Sequence, residues 1–378
     1  MKILLIFPHF LTPGGAAKTA LKYAKELQLR GNKIEILCAK VSKEFIKENP
    51  ELNFRELNIP ISSSALFWLF FPYWQYKINK ILKKYPDYIF YPHVLPSNWW
   101  AWLFKLRNQN TKIVWHCHEP SAFIHSKAWI DAIPNPIMKI GAKLLNPILK
   151  ALDIKLEKEN DLIYCNSIFV MKEYERVYKK KADYLIYPPI IISKTQPERN
   201  KNKHILTVSR LSKFKRVDLL IDAFSVVTEK YPEYRLIITG EGEETGNLLR
   251  QTKSLDLEEK IEFRGKVNNE MLENLYKNSR VTVLCSENEP FGLVPVESMM
   301  NGTPVIAHNS GGPKETIIHN ETGFLYEDKD DLIKYLSMII SMDEDQYQKI
   351  QEQCVHHVKK YDLDKTISRL EEVFSNIS

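Results

Sequence analysis

The sequence predicts an α/β protein made of two successive parallel-sheet units. Three observations lead to that class. The chain has 378 residues, more than one ordinary hydrophobic core organises. Short apolar runs alternate with stretches of helical periodicity, the pattern of strand–helix–strand repeats. A polar stretch at 193–203, SKTQPERNKNK, separates two such series.

In the first series KILLIF (2–7) reads as a buried strand and PHFLTPGG as the loop after it. AAKTALKYAKELQLR carries apolar residues at helical spacing, and Gly31 is a good terminator. KIEILCA is the next strand. DYIFYP (87–92), KIVWHCH (112–118), DLIYCNS (161–167) and YLIYPP (184–189) are expected to continue the same sheet. In the second series HILTVSR (204–210), YRLIITGEG (234–242), IEFRGKV (261–267), RVTVLCS (280–286) and TPVIAHN (303–309) read as strands with helices between them. LDKTISRLEEVFSNIS closes the chain as an amphipathic helix. The expected domains are 1–190, joined by 363–378, and 191–362.

Composition narrows the function. The start does not read as a signal peptide, and no apolar run approaches the roughly 20 residues of a membrane-spanning helix. The five cysteines are scattered without paired spacing, so a reduced, cytoplasmic setting is expected. Residues 1–190 carry 28 Lys and Arg against 16 Asp and Glu, whereas 191–378 carry 25 against 31. That asymmetry is either drift in surface composition or a first half that faces something anionic, a membrane surface or a phosphorylated acceptor. No nucleic-acid partner is expected.

Ligands of open α/β sheets bind beyond the carboxyl ends of the strands. Gly14 and Gly15 follow the first strand and permit a close backbone approach, or form a plain tight turn. His118 and Glu119 follow KIVWHC; His116 lies on the same face two residues earlier, and spacing does not choose between the histidines. Arg210 and Lys215 put two cations in one strand-to-helix loop, suited to a diphosphate, although Lys213 and Arg216 make a solvated basic loop an alternative. Gly240 and Gly242 end the strand RLIIT and again permit close approach.

The richest stretch is ENEPFGLVPVESMMNGTPVIA (287–307). Pro295 is tolerated only in a first helical turn, which places the helix start near residues 292–294. The amides there lack intrahelical partners, and the helix dipole favours an anion before them. Glu289 then lies just outside the anion site and Glu297 one turn inside the helix. Each carboxylate suits a pair of sugar hydroxyls, the layout of ribose, diphosphate and hexose in a nucleotide sugar. GGPKE (311–315) follows the next strand with another turn and acid.

These residues resemble a known family. EPFGLVPVE, followed by GTPVIA and GGPKE, resembles the E-x7-E signature of retaining glycosyltransferases of family 4, whose two-domain fold is called GT-B. VSRL with Lys215 resembles that family's Arg–Lys diphosphate clamp, TGEG its G-x-G turn, FRGKV with Val267 the segment bordering the base, and PGG its first glycine loop. The resemblance covers the second half throughout, and the first at 1–40 and 118–119. It implies two Rossmann-like domains facing each other across a cleft, with the last helix crossing back to the first. It implies that Arg210 and Lys215 neutralise the leaving diphosphate, that Glu297 binds the ribose, and that Glu289 contacts the transferred sugar beside the amides of Phe291 and Gly292. The amides of Leu293 and Val294 hold phosphate oxygens, Gly15 lies near the diphosphate, and His118 lies near the sugar, preferred to His116 because an acid follows it.

No metal or other cofactor is implied beyond the donor itself. Asp328–Asp330 and Asp362–Asp364 are read as solvated acids or caps. Arg216 departs from the pattern, standing where glycine is usual. GGPKE resembles mannosyltransferases within the family, so GDP-mannose leads among donors, ahead of UDP-glucose and UDP-N-acetylglucosamine. The acceptor is expected to be a glycan or lipid-linked saccharide. The aromatic and basic stretches SALFWLFFPYWQYKINKILKKY (64–85) and SNWWAWLFKLR (97–107) are either buried against the sheet or interfacial on the inner membrane face. The alternatives are a GT-B nucleotide-sugar epimerase and a non-catalytic sugar-nucleotide-binding assembly subunit.

Overall fold

The computed structural model describes residues 1–12, 14–62, 65–126, 130, 136–190 and 201–377; of 65, 66 and 136–138 it describes the backbone. The polar junction at 193–200 lies outside the described residues. The chain divides into two compact units, Met1–Pro189 with Asp364–Ser378, and Ile190–Leu363.

In the first unit β1 (Lys2–Phe10) lies between β2 (Lys33–Val41) and β4 (Ile89–Pro92), and β2 also pairs β3 (Phe54–Glu56). β5 (Val114–Cys117), β6 (Leu162–Cys165) and β7 (Tyr184–Leu185) form a separate three-stranded sheet. This differs from the single sheet the sequence suggests. Among the described residues the two sheets are joined by one parallel bridge, Phe90↔Ile113, between two strands of four residues each. β3, three residues long, is too short for its apolar pattern to be read. Every described strand pair is parallel. β1 is buried along most of its length, which explains its near-continuous apolar run.

Strand order in this unit therefore reverses between β1 and β4. The loops after those two strands hold Gly14 and His93, and the loop after β5 holds His118. The final helix, Leu363–Ser375, belongs to this unit. Arg30 anchors it through Asp364 (2.8 Å) and Glu371 (3.3 Å), Asn32 donates to Glu371, and Phe374 stands edge-on to Tyr91.

The second unit is one six-stranded parallel sheet in the order β10-β9-β8-β11-β12-β13. Its strands are β8 (Asn202–Val208), β9 (Arg235–Thr239), β10 (Ile261–Gly265), β11 (Ser279–Leu284), β12 (Val305–His308) and β13 (Gly323–Tyr326). Order reverses between β8 and β11, the switch point at which such sheets bind ligands. Asp328 is a helix cap, accepting from the Asp331 amide, and Asp364 is the partner of Arg30.

Among the described residues no helix is long and apolar enough to cross a membrane. The tryptophan-rich stretch forms the helix Ser97–Lys105, and Trp99, Trp100 and Trp102 are all buried. Burial, not an interface, is its role, because its indoles pack under the first unit's sheets. Trp102 stands edge-on to Trp115 and donates to Asn160 at 2.7 Å, and Trp99 donates to Asp153 at 2.6 Å.

Candidate active site

In the second unit the site grows from the two loops at the switch point. After β8 the chain runs through Ser209–Leu211 into a single 3-10 turn, Lys213–Lys215, and then the helix Val217–Lys230. Arg216 between them is left-handed (φ +48), which explains why glycine suits that position. Arg216 keeps the conformation and pairs with Glu287.

After β11, residues 285–292 lead into the helix Leu293–Met300, capped at its start by Gly292. Lys215 meets Glu289 across the switch point in a partly buried ion pair, and Ser286 donates to the same carboxylate at 2.7 Å. The Glu289 carbonyl accepts from the Gly312 amide at 2.7 Å. A Cβ on Gly311 or Gly312 would overlap the backbone of Glu289 or Phe291. GGPKE therefore supports the ENEPFG loop from behind, and two glycines are needed for backbone to lie on backbone.

Glu297 projects from the first helical turns, where the Tyr276 hydroxyl donates to it at 3.0 Å. Burial and the Glu297 carboxylate hold the Tyr276 phenol well above its ordinary pKa, so it stays a donor. Tyr276 packs with Leu206, Ile237 and Leu275, and both Val267 and Val294 rest on that cluster. Lys215 with Glu289, and Val267 with Val294 and Glu297, thus form two neighbourhoods around one helix start. The first helical amides lack an intrahelical partner by geometry and face the positive end of the dipole.

Two other residues are placed differently. Arg210 points to Glu243 (3.2 Å) and is largely exposed. Gly240 (φ +116) does make a close approach, but to the chain itself. A Cβ there would overlap the Ser209 carbonyl. Its glycine shapes the loop that bears Arg210.

In the first unit Gly14 caps the helix Gly15–Leu29, and a Cβ on Gly14 would meet open space. His118 and His116 are both buried. His118 Nε2 lies 2.9 Å from Nδ1 of His93, and the His116 and His118 rings are 3.7 Å apart. Burial lowers the His118 pKa to about 3 and those of His93 and His116 well below the ordinary value, so all three rings are neutral. His116 also stacks on Tyr164 at 4.3 Å.

Below the His118 loop lies a polar centre that spacing does not reveal. Asp153, fully buried in the helix Pro136–Leu156, accepts from Trp99 (2.6 Å), Ser121 (2.9 Å) and Tyr178 (2.7 Å), and lies 2.9 Å from His125. His93, Asp153, Tyr276 and Ser286 were not singled out from the sequence. None sits in a recognisable spacing, and His93, Asp153 and Tyr276 act through partners more than 20 residues away in the chain.

An open parallel sheet with acids, cations and a helix start gathered at its switch point is an arrangement suited to an anionic ligand. The family Glycosyltransferase Family 4 matches residues 13–193, and Glycosyl transferases group 1 matches residues 190–356. The chain belongs to the glycosyltransferases of this group 1 and family 4 type, and its fold is GT-B.

An uncharacterized glycosyltransferase of Haemophilus influenzae is 33% identical over 186 residues, 47% of this chain and 52% of the relative. The chain thus spans about half the length of that relative. The N-acetyl-alpha-D-glucosaminyl L-malate synthase of Bacillus anthracis is 24% identical over 100% of this chain and 98% of its own. An alpha-1,3/1,6-mannosyltransferase of Dictyostelium discoideum is 26% identical over 59% of this chain and 60% of its own. Among solved structures, Anabaena HepE in complex with UDP and glucose superposes with a TM-score of 0.78 at 19% identity, covering 100% of both chains.

Proposed function

We propose that the protein transfers a hexose, with retention of anomeric configuration, from a nucleotide-diphosphate sugar to a glycan or lipid-linked saccharide in cell-surface polysaccharide or glycoconjugate synthesis. The observation that carries this reading is the meeting of Lys215 and Glu289 at the switch point, beside the start of the helix that bears Glu297. Family membership supports the reaction class. GDP-mannose is the first donor to test, supported by GGPKE and the mannosyltransferase relative; the relative and the structure that name N-acetylglucosamine, UDP and glucose keep the uridine donors in the comparison.

Cleaving the anomeric bond places negative charge on the diphosphate and positive character on the sugar. Lys215 is the main cation for the diphosphate. An arriving phosphate draws it from Glu289, which frees that carboxylate for sugar hydroxyls. Arg210 swings from Glu243 to join it, a small cost for an exposed pair. The amides of Phe291, Gly292, Leu293 and Val294 receive phosphate and sugar oxygens, a preorganised field that needs no reorganisation during reaction. Glu297, steadied by Tyr276, takes the ribose hydroxyls, and Val267 borders the base. Gly14, Gly15 and His118 are the first unit's contribution. The leaving phosphate accepts the acceptor's proton on the same face, and no metal takes part.

Donor hydrolysis without acceptor tests this reading against a non-catalytic binding subunit. Slow release of the nucleoside diphosphate is expected. Thermal stabilisation across GDP, UDP and ADP identifies the base, and at a concentration 100 times Kd the matched one adds about 2.7 kcal/mol. No hydrolysis combined with tight binding overturns the enzyme reading.

We also infer that the protein docks on an anionic membrane at the cytoplasmic leaflet. Ile140, Leu144, Leu145 and Ile148 on the helix Pro136–Leu156 are 60%, 73%, 56% and 66% exposed, and they recur at i, i+4, i+5 and i+8, the spacing of one helical face. That helix carries four lysines and one aspartate, the fully buried Asp153. Leu69, Phe70, Tyr73 and Tyr76 add a second exposed apolar group. The two surfaces are linked through Trp99, which touches Trp68 and bonds Asp153. Binding to phosphatidylglycerol vesicles at low salt is expected, and Leu144→Glu with Ile148→Glu should abolish it. Equal binding by the double variant would remove this helix as the anchor.

A further inference from the structure

Three imidazoles from two adjacent strand ends converge in the first unit. His93 follows β4, His116 lies within β5, and His118 follows β5. One ring nitrogen from each lies within 4.8 Å of the other two. All three are buried, with His118 6% exposed at the edge. His93 Nε2 and both ring nitrogens of His116 have no hydrogen-bond partner among the described residues. A buried imidazole with neither nitrogen satisfied is costly, and each neutral ring here has one lone pair to offer.

We propose that His93, His116 and His118 form a binding site for a divalent first-row transition-metal ion, Zn2+ foremost. Neutral imidazole is the ligand such ions prefer, whereas Mg2+ and Ca2+ require oxygen. Zinc–nitrogen bonds of about 2.0–2.1 Å at tetrahedral angles hold their nitrogens about 3.3–3.4 Å apart. The His93–His118 pair at 2.9 Å therefore needs to open by only a few tenths of an ångström. Three neutral protein ligands leave a fourth position open, and a hydroxide, carboxylate or phosphate there offsets the ion's charge. The aromatic wall of Tyr91 and Tyr164 fixes the His93 and His116 rings, so little ordering remains to be done on binding.

The consequence is inhibition. A metal bound here occupies the His118 ring that the proposed function places near the transferred sugar, and this clause rests on that reading. Metal binding itself does not.

The test titrates EDTA-treated full-length protein with Co2+. Expected is one ion per chain, with the visible absorption of a four-coordinate cobalt site that Zn2+ abolishes. His116→Gln and His93→Gln are expected to weaken Co2+ binding by more than about tenfold, since even loss of an outer partner costs that much. His93→Gln covers the case in which the fully buried His116 variant fails to fold. Zn2+ is expected to inhibit transfer by the native protein and not by His116→Gln. No four-coordinate spectrum, or one unchanged in both variants, overturns the proposal. A four-coordinate spectrum without inhibition keeps the metal site and removes the role given to His118.

Discussion

Lys215→Ala is expected to lower transfer about 10²–10³-fold, the cost of removing one preorganised donor to developing negative charge. The fold is expected to be nearly unaffected. Lys215 keeps 27% of its side chain exposed, and Glu289 retains Ser286 as a donor after the change. A partly exposed ion pair contributes at most about 1 kcal/mol. Steady-state release of nucleoside diphosphate, read beside a thermal melt, separates the two effects. Turnover like that of the native protein would sink the clamp assignment. Arg210→Ala provides the comparison. Arg210 stands against Glu243 rather than at Glu289, so its loss is expected to raise KM more than it lowers kcat.

Asp153→Ala is expected to destabilise the first unit by about 3–5 kcal/mol. The carboxylate is fully buried and is shared by Trp99, Ser121, His125 and Tyr178. Truncation leaves these polar groups buried and unpaired, at about 1–3 kcal/mol each before relaxation. A loss of that size is a large part of the ordinary stability of a domain. Urea denaturation followed by tryptophan fluorescence would report it, because Trp99 is one of the donors. The helix that Asp153 pins also carries the exposed apolar stripe, so the variant is expected to lose vesicle binding together with stability. A change below about 1 kcal/mol would show that Asp153 is not the tether.

The legible parts of this protein were those in which neighbours in sequence are neighbours in space. A buried parallel strand is apolar at nearly every position, so β1, β8, β9 and β11 announce themselves. The start of the helix Leu293–Met300 was readable because Pro295 fits only in a first turn. Short strands carry too few residues for a pattern, so β3 was missed. The division of the first unit's strands into two sheets was invisible because it depends on how far two four-residue strands run together. The Gly240 turn was read as room for a ligand. In the fold that room is taken by Ser209, because a missing Cβ states that something lies close and not what it is.

By itself the sequence determined the α/β class, the two units, the glycosyltransferase signature and the acids and cations that carry it. These rest on local periodicity, turn chemistry and fixed spacing, which a linear chain records directly. Only the tertiary structure decided the partners. It put Lys215 on Glu289, Tyr276 on Glu297, and Asp153 under the loop that follows His118. It also buried Trp99, Trp100 and Trp102 while exposing the face of the helix Pro136–Leu156, and drew His93 to His116 and His118. Those pairings join residues 21 to 74 positions apart, and burial is a property of the packed chain. No local pattern encodes either one.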